Sequence, residues 1–592
     1  MITVDKENAV LSPICEMNVN MFWGGIIGEV LARCGVKYVV SSPGSRSVPL
    51  TFGCAANKKL KTIPVIDERS AGFFALGLAK RTGRPVALIC SSGTAAANFY
   101  SAIIEARMTR VPLVVLTADR PPELRECHSG QTIDQVKMYS NYPLFYKELA
   151  VPEADFDFFY YLRQMVTYAC ERSLFPQKGP VHLNVSFRNP YPEVDDGFAS
   201  FIKEFDIEDF FSGMVSLEGM SGVNRQSDFS LISSKFQGID RGLIVVGTVQ
   251  PKDPKSFSMS VGRLAKSLGW PVLAEGLSPI RNYANEVPGL ITRYDAILRN
   301  CEAAESLRPE KIIQIGDLPT SKVLRAWLKR MKPETWVFES SADNVDALHG
   351  NTHFLRFDVE DFICDAKVSA TSMYFGTWRN LEEQADKLIA DRLGREMGFF
   401  EGKISWLLSE SLPEETPIFI ATSMPVRDIE FFWQKGNRRI QPYFNRGANG
   451  IDGIVSTALG IAHENKPAVL LVGDLTLLHD TNGLLIKNYF KGSLTIILIN
   501  NNGGRIFENL PVAQHGTIFE EFIATPQDID FKKFSDYHGI EYHRPDSWEI
   551  FNSLIEKLPD EGIRMIEIIT DGKFDVAFRK NLFKTVSEKI II

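Results

Sequence analysis

The stretch Ala468-Val469-Leu470-Leu471-Val472-Gly473-Asp474-Leu475, read with Leu494 to Ile499 and the following Asn500-Asn501-Asn502-Gly503-Gly504, decides the fold. Each begins with a short apolar run, and a helical stretch from about Asp480 to Tyr489 separates them. This order predicts two buried parallel strands joined by a crossover. Asp474 and the asparagine cluster would then meet at the same edge of the sheet, where such folds bind ligands.

The residue types at that edge predict a cation site. A carboxylate, an amide oxygen and a backbone carbonyl form a hard-oxygen set that suits magnesium or calcium. The glycines would let the backbone turn and approach a phosphate closely. The competing interpretation is an ordinary strand end followed by an Asn-Gly turn. The matched strands on both sides favour the cation site.

The same alternation of strands and helices recurs along the 592 residues. It predicts an α/β protein of three doubly wound parallel-sheet domains, with boundaries at 11–197, 198–378 and 379–592. The clearest predicted strands are Tyr38–Ser41, Val86–Cys90, Leu113–Thr117, Leu243–Val246, Pro271–Ala274, Ile312–Ile315, Thr335–Phe338, Ile418–Ala421, Ala468–Val472, Leu494–Ile499 and Met565–Ile569.

Composition excludes several classes of protein. A formal net charge of −8 gives no overall basic field for nucleic acid or an anionic membrane surface. The eight cysteines, Cys15 among them, form no C-x-x-C pair and predict buried free thiols. The first 17 residues lack a signal-peptide pattern, and we expect a cytoplasmic protein without membrane spans.

The spacing of Gly473-Asp474 and Asn500-Asn501 resembles the metal-binding motif of thiamine-diphosphate-dependent enzymes. That resemblance implies thiamine diphosphate and Mg²⁺ as cofactors, with Mn²⁺ as a possible substitute. Asp474, the Asn501 side chain and the Gly503 carbonyl would hold the metal against the diphosphate. Leu475 and Ser423 would also contact the cofactor. The family normally has Gly-Asp-Gly, with a second glycine where this chain has Leu475.

Glu68 is the predicted catalytic residue. On its own, an acid at a strand-to-helix junction predicts a helix cap. The segment Val65 to Ala79, followed by Ser91-Ser92-Gly93-Thr94, resembles the pyrimidine-binding domain of the family, where a glutamate at this position activates the cofactor. Ile451 likewise matches the apolar wedge that bends the cofactor.

Several segments resemble one branch of these enzymes, the synthases of menaquinone (or phylloquinone) biosynthesis that join 2-oxoglutarate to isochorismate. The segments that carry this resemblance are Ser42 to Leu50, Thr117 to Leu124, Asn445 to Gly453 and the stretch quoted first. The resemblance implies a transferase that decarboxylates 2-oxoglutarate and adds the four-carbon fragment to isochorismate. It also implies a homodimer or homotetramer with active sites between subunits.

Arginine suits carboxylate substrates, because its planar fork binds both oxygens and stays charged. Lys322 would be a contact from the middle domain, although Val323 stands where some relatives have arginine, and Gly130 replaces an asparagine of some relatives. The residues that match substrate contacts of the family are Ser45, Arg46, Arg120, Gln131, Lys322, Thr422, Arg427, Arg446, Ile506 and Phe507.

Three alternatives remain at this point. The first is another thiamine-diphosphate decarboxylase or carboligase, against which the Ser42 to Leu50 and Thr117 to Leu124 segments count. The second is a nicotinamide- or flavin-dependent oxidoreductase, but no G-x-G-x-x-G follows a clear strand. The third is a catalytically silent regulatory protein with the same fold, against which Glu68, Asp474 and Asn501 argue.

Overall fold

The computed structural model describes residues 11–12, 18–189, 198–214, 229–364 and 372–592. Cys15 lies outside these ranges. Within them, three all-parallel sheets of six strands each follow one another along the chain, which confirms the predicted fold class. The exact domain boundaries predicted from the sequence remain predictions.

The first sheet has the order β2-β1-β3-β4-β6-β5. Its middle strands β1, β3, β4 and β6 are buried along their whole length, as expected of strands covered on both faces. Its strands are β1 Tyr38–Ser41, β2 Lys61–Pro64, β3 Val86–Cys90, β4 Leu113–Asp119, β5 Tyr146–Glu148 and β6 Pro180–Ser186.

The second sheet has the order β12-β11-β10-β7-β8-β9 and the third β14-β13-β15-β16-β18-β17. The second sheet contains β7 Gly242–Val246, β8 Val272–Ala274, β9 Leu290–Ile291, β10 Lys311–Ile315, β11 Glu334–Phe338 and β12 Asn351–Leu355. The third contains β13 Pro417–Ile420, β14 Gln441–Tyr443, β15 Ala468–Gly473, β16 Ser493–Asn500, β17 Glu541–His543 and β18 Gly562–Ile569.

The α-helices connect these strands. Those of the N-terminal part are α1 Val19–Arg33, α2 Val48–Ala55, α3 Glu68–Thr82, α4 Thr94–Ala97, α5 Tyr100–Met108, α6 Phe156–Leu174, α7 Phe198–Phe201 and α8 Ile207–Phe211. The middle part has α9 Phe229–Ser234, α10 Pro254–Leu268, α11 Tyr294–Ile297, α12 Cys301–Ser306, α13 Lys322–Met331 and α14 Met373–Gly394. The C-terminal part has α15 Glu401–Ser411, α16 Met424–Phe432, α17 Ile454–Ala462, α18 Asp474–His479, α19 Thr517–Phe519, α20 Phe531–His538, α21 Trp548–Glu556 and α22 Gly572–Lys589.

The chain forms two compact units that do not follow the order of the sequence. The first unit contains the first sheet and consists of Met1–Asn224, Asn445–Glu464 and His479–Lys491. The second contains the other two sheets and consists of Arg225–Phe444, Asn465–Leu478 and Gly492–Ile592. The sequence did not predict that α17, from the C-terminal third, belongs to the first unit.

The strands quoted first pair as predicted. β15 and β16 are parallel neighbours, with Gly473 opposite Ile499. The crossover differs from the prediction, because a helix begins directly at Asp474 and a 3-10 segment, Thr481–Asn488, completes it. Asp474 therefore stands at the first turn of a helix.

Glycines allow α3 and α17 to approach each other closely inside the first unit. A Cβ atom on Gly460 would overlap the carbonyl oxygen of Phe74 and lie 3.0 Å from Cα of Gly77. A Cβ atom on Gly77 would overlap the carbonyl oxygen of Thr457. Only glycine allows the two helix backbones to come into contact here. This contact fixes the position of α3, the helix that starts at Glu68.

Among the described residues, no helix is long and apolar enough to cross a membrane.

We predict that Gly460→Ala destabilises the protein, because the new methyl group would have to push two helix backbones apart. Overpacking of this kind typically costs ~1–3 kcal/mol. Gly376→Ala is the matched control, since its Cβ meets no atom of the described residues within 4 Å and alanine favours a helix. Denaturant unfolding should show a lower midpoint for Gly460→Ala and an equal or higher one for Gly376→Ala. Equal midpoints for Gly460→Ala and the unmodified protein would contradict the prediction.

Candidate active site

Asp474 lies at the carboxyl end of β15 with only 5% of its surface exposed. Its Oδ1 accepts a hydrogen bond from the Leu475 N–H at 2.6 Å, and its Oδ2 accepts one from the Gly503 N–H at 2.8 Å. The predicted proximity of Asp474 to the asparagine-glycine turn is thus confirmed. Burial raises the pKa of Asp474 above its usual value, although both N–H donors oppose that shift. A bound cation would favour the ionised carboxylate.

Asn501 follows β16 and presents an amide oxygen to the same edge. Its Nδ2 donates to Oε1 of Glu401 at 2.6 Å. Its Oδ1 is buried and accepts no hydrogen bond within the described structure. A buried carbonyl oxygen without a partner is costly, and a metal ion would supply the missing partner. The residues at this edge therefore fit an oxygen-bound Mg²⁺.

Gly503 completes the edge with a backbone that other residues rarely adopt. Its φ is +126°, and a Cβ atom here would overlap the carbonyl oxygen of Ala524. Glycine is therefore required at this turn. The Gly503 N–H donates a hydrogen bond to Asp474, whereas the metal-binding role of the Gly503 carbonyl remains a prediction.

A buried charge network lies behind Asn501. Arg579 donates to Oε2 of Glu401 at 2.7 Å and to both carboxylate oxygens of Asp428 at 2.8 and 2.7 Å. Glu401 is 1% exposed and begins α15, and Asp428 is fully buried in α16. Sequence analysis missed Glu401, because an acid at a helix start is ordinary. Its position 100 residues before Asn501 gave no signal of contact.

Within the described part of the chain, no three His, Cys, Asp or Glu side chains gather as a metal cluster. Asp474 therefore shares this edge of the sheet with the Asn501 amide and with backbone groups. Mg²⁺ is commonly held by one or two carboxylates, with phosphate oxygens and water completing its shell. The composition of this edge fits a metal bound together with a diphosphate.

Ser423 precedes α16 in a strained conformation, with φ +71° and ψ −131°. Its side chain makes no capping hydrogen bond, whereas its carbonyl oxygen accepts from the guanidinium of Arg427. Thr422, before it, is buried. Strain of this kind at a non-glycine residue is often retained at functional sites. It supports the predicted contact of this loop with a ligand.

Glu68 is the first residue of α3, in the first unit. The N-cap is its neighbour Asp67, whose carboxylate accepts from the N–H groups of Arg69 and Ser70. Glu68 is thus not needed as the cap and is half-buried. Burial raises the pKa of the Cys90 thiol, and the negative charge of Glu68 raises it further. The carboxylate therefore lies near the end of β3.

Two predicted substrate residues of the first unit, Arg120 and Gln131, contact the loop that follows β3. Arg120 donates to Ser92 Oγ at 2.6 Å, and Gln131 donates to the Ser92 carbonyl at 2.9 Å. Burial lowers the pKa of Arg46, and the positive charge of Arg120 lowers it further. An anion bound near both guanidinium groups would offset the repulsion that Arg46 experiences from Arg120. Ser45 is exposed on the same loop as Arg46.

The loop with the predicted wedge is held by a carboxylate that the sequence did not single out. Glu105 on α5 is 3% exposed, and its two oxygens accept from the N–H groups of Gly447 and Ala448 at 3.0 and 2.7 Å. Ile451 and Arg446 are half-buried on this loop. A cavity beside it is lined by Phe73, Ser101, Ile104, Glu105, Asn445, Ala448, Gly450 and Asp452.

The remaining predicted residues belong to the second unit. Lys322 is the exposed first residue of α13, capped by Ser321. Leu475 is half-buried beside Asp474, and Ile506 and Phe507 follow the asparagine-glycine turn in the 3-10 segment Arg505–Asn509. The predicted residues thus form two sets. Asp474, Leu475, Asn501, Gly503, Ser423, Thr422, Arg427, Ile506, Phe507 and Lys322 lie in the second unit, and Glu68, Ser45, Arg46, Arg120, Gln131, Arg446 and Ile451 in the first.

Comparison with known families and proteins agrees with this site. Residues 23–138 match the family described as thiamine pyrophosphate enzyme, N-terminal TPP binding domain. Residues 233–420 match the middle domain of thiamine pyrophosphate enzymes. The fold and the site therefore define a thiamine-diphosphate-dependent enzyme.

Similar proteins identify one family within the thiamine-diphosphate-dependent enzymes. A 2-succinyl-5-enolpyruvyl-6-hydroxy-3-cyclohexene-1-carboxylate synthase of Gloeothece citriformis is 50% identical over 572 residues, which cover 96% of this chain and 98% of the relative. Enzymes of the same name from Trichormus variabilis and Nostoc sp. are each 48% identical over 586 residues, 98% of this chain and 100% of each relative. The chain belongs to the 2-succinyl-5-enolpyruvyl-6-hydroxy-3-cyclohexene-1-carboxylate synthase family, which confirms the predicted resemblance.

We predict that Ser423→Gly stabilises the protein, because glycine relieves a backbone strain of about 1–3 kcal/mol. Ser423→Ala keeps the Cβ atom and is the matched control, with little or no gain. Thermal unfolding without ligands should give a higher midpoint for Ser423→Gly than for Ser423→Ala. Identical midpoints for the two variants would show that the conformation stores no strain.

Proposed function

We propose that the chain decarboxylates 2-oxoglutarate with thiamine diphosphate and Mg²⁺ and adds the four-carbon fragment to isochorismate in a 1,4 fashion. The product would be 2-succinyl-5-enolpyruvyl-6-hydroxy-3-cyclohexene-1-carboxylate, with CO₂, in menaquinone or phylloquinone biosynthesis. The observation that carries the proposal is the buried oxygen edge of Asp474 and Asn501 in a chain 50% identical to a synthase of this name.

Asp474, Asn501 and the Gly503 carbonyl would hold Mg²⁺, and Ser423 and Leu475 would contact the cofactor. Support comes from the buried Asp474 carboxylate and from the Asn501 Oδ1, which has no hydrogen-bond partner in the described part of the chain. When bound, thiamine diphosphate supplies a nucleophilic carbon and an electron sink for decarboxylation. The protein supplies binding, orientation and a proton-handling carboxylate.

Glu68 would be that carboxylate, sharing a proton with N1′ of the cofactor's aminopyrimidine. Its half-buried position at the start of α3 leaves it accessible to a ligand, while Asp67 caps the helix. Ile451 would press on the cofactor from the loop that Glu105 holds in place.

Arginines would orient the substrate carboxylates. Arg120 is close enough for its positive charge to lower the pKa of Arg46, so an anion beside these two guanidinium groups would be stabilised. Ser45, Gln131, Lys322, Thr422, Arg427 and Arg446 would add contacts to substrate or cofactor. Holding two reactants in the right geometry contributes up to ~7–11 kcal/mol to catalysis. Ile506 and Phe507 would form an apolar wall.

A homodimer or homotetramer would be the active form, with sites between subunits. The segment after the asparagine-glycine turn exposes several apolar side chains: Phe507 (40%), Leu510 (44%), Ile518 (65%) and Phe522 (67%). Exposed apolar surface of this kind marks an interaction site. We also place the protein in the cytoplasm, where both acidic metabolites would be found.

The proposed reaction predicts a defined substrate requirement. The purified protein with thiamine diphosphate, Mg²⁺, 2-oxoglutarate and isochorismate should consume isochorismate and form a product of the expected mass. Ultraviolet absorbance and mass spectrometry check this outcome. Omission of Mg²⁺ should abolish turnover. Absence of the adduct, or equal turnover with pyruvate in place of 2-oxoglutarate, would refute the substrate assignment.

Glu68→Gln should lower kcat by at least 100-fold, because the amide cannot share a proton with N1′ as the carboxylate does. Binding of thiamine diphosphate and Mg²⁺ should change little, since the diphosphate and metal contacts lie elsewhere. Steady-state kinetics and a cofactor titration followed by tryptophan fluorescence measure the two effects. Glu464→Gln, which removes a carboxylate bonded to Tyr38 and Lys61, is the matched control and should remain active. Full activity of Glu68→Gln would remove Glu68 from the catalytic role.

A further inference from the structure

We propose that Glu401 is a positioning residue that sets the orientation of the Asn501 amide, so that its oxygen faces the metal. This inference rests on the proposed metal-binding role of Asn501. It concerns a side chain that would act on the metal only through its hydrogen bond to Asn501.

The direction of the Asn501 amide follows from hydrogen-bond chemistry. An asparagine side chain has one accepting oxygen and one donating NH₂, which lie in the amide plane on opposite sides of the Cβ–Cγ bond. A carboxylate only accepts, so the group 2.6 Å from Glu401 Oε1 must be the NH₂. The oxygen then points the other way, where it is buried and accepts no hydrogen bond from any described residue. Without Glu401, either orientation of the amide would be possible.

Glu401 can perform this task because its carboxylate accepts in every hydrogen bond described for it. Arg579, a permanent cation, donates to Oε2 at 2.7 Å, and Thr570 donates to Oε1 at 3.3 Å. The N–H of Glu401 donates to Asp575 at 3.1 Å, which anchors the start of α15. Arg579 is in turn held by both oxygens of Asp428. The carboxylate is thus oriented by a buried, hydrogen-bonded framework.

Outer partners of metal ligands influence affinity strongly. Removal of such a partner typically costs ~10–100-fold in metal affinity or activity. Glu401→Gln has nearly the same shape but only one accepting oxygen, whereas the carboxylate accepts from Asn501, Thr570 and Arg579. Arg579 cannot accept, so the new amide would turn its oxygen to Arg579 and its NH₂ to Asn501. Asn501 would then rotate and direct its own NH₂ towards the metal.

The experiment titrates Mg²⁺ into the protein at saturating thiamine diphosphate, with tryptophan fluorescence or calorimetry as the readout. We expect Glu401→Gln to raise the Kd for Mg²⁺ by ~10–100-fold. Activity should be largely recovered at saturating Mg²⁺, so that the Mg²⁺ requirement changes more than kcat. A merely structural role would not produce this separation.

A rescue variant tests the orientation itself. Adding Asn501→Asp to Glu401→Gln lets one oxygen of the new carboxylate accept from the glutamine NH₂ while the other faces the metal. Mg²⁺ affinity should therefore improve at least tenfold relative to Glu401→Gln alone. Asn501→Asp in the otherwise unmodified protein should improve Mg²⁺ affinity by less than this, or lower it, relative to the unmodified protein. The reason is that the new carboxylate at position 501 and the carboxylate of Glu401 would then repel each other.

Glu382→Gln is the matched control. Glu382 is as buried as Glu401 and accepts from Thr292, Arg293 and Lys435, with no contact to Asn501. It should lower stability while leaving the Kd for Mg²⁺ within twofold. An unchanged Kd in Glu401→Gln, or an equal weakening in Glu382→Gln, would overturn the inference. Failure of the unmodified protein to bind Mg²⁺ with thiamine diphosphate would instead refute the proposed function.

Discussion

The parallel pairing of β15 with β16 is the constraint on which the candidate site depends. Its register places Gly473 opposite Ile499, so the residues after both strands meet at one edge. The hydrogen bond from the Gly503 N–H to Asp474 then closes that edge. A shift of this register would separate the Asp474 carboxylate from the asparagine turn, so that the two could no longer bind the same cation. The buried apolar strands exclude such a shift, because both are fully packed along their length up to the edge.

Three charged side chains are buried beneath this edge of the sheet. Glu401, Arg579 and Asp428 bring three charges into the interior, which is tolerable only because each is hydrogen-bonded to the next. The network links α15, α16 and α22, and α16 also begins at the strained Ser423. The same helix thus connects the framework behind Asn501 with the loop of Thr422 and Arg427.

Local patterns in the sequence predicted much of this structure. The apolar runs at Tyr38 and Val86 gave exact strand bounds, because buried parallel strands are continuous and end at polar or glycine residues. Edge strands such as Tyr146–Glu148 and Glu541–His543 were missed, since they are short and only partly apolar. Glu105 and Glu401 were missed for a different reason. Their function lies in contacts with residues 342 and 100 positions away, which no local pattern encodes.

The close crossing of α3 and α17 has a consequence for how the chain reaches its native state. α17 is buried along its whole length, and it comes from residues 454–462, yet it completes the unit that begins at the N-terminus. During synthesis, that unit lacks a helix until most of the chain has left the ribosome. Until then, the face of α3 that packs against α17 in the native structure lacks its partner. Such late, long-range completion slows folding and makes early intermediates prone to aggregation.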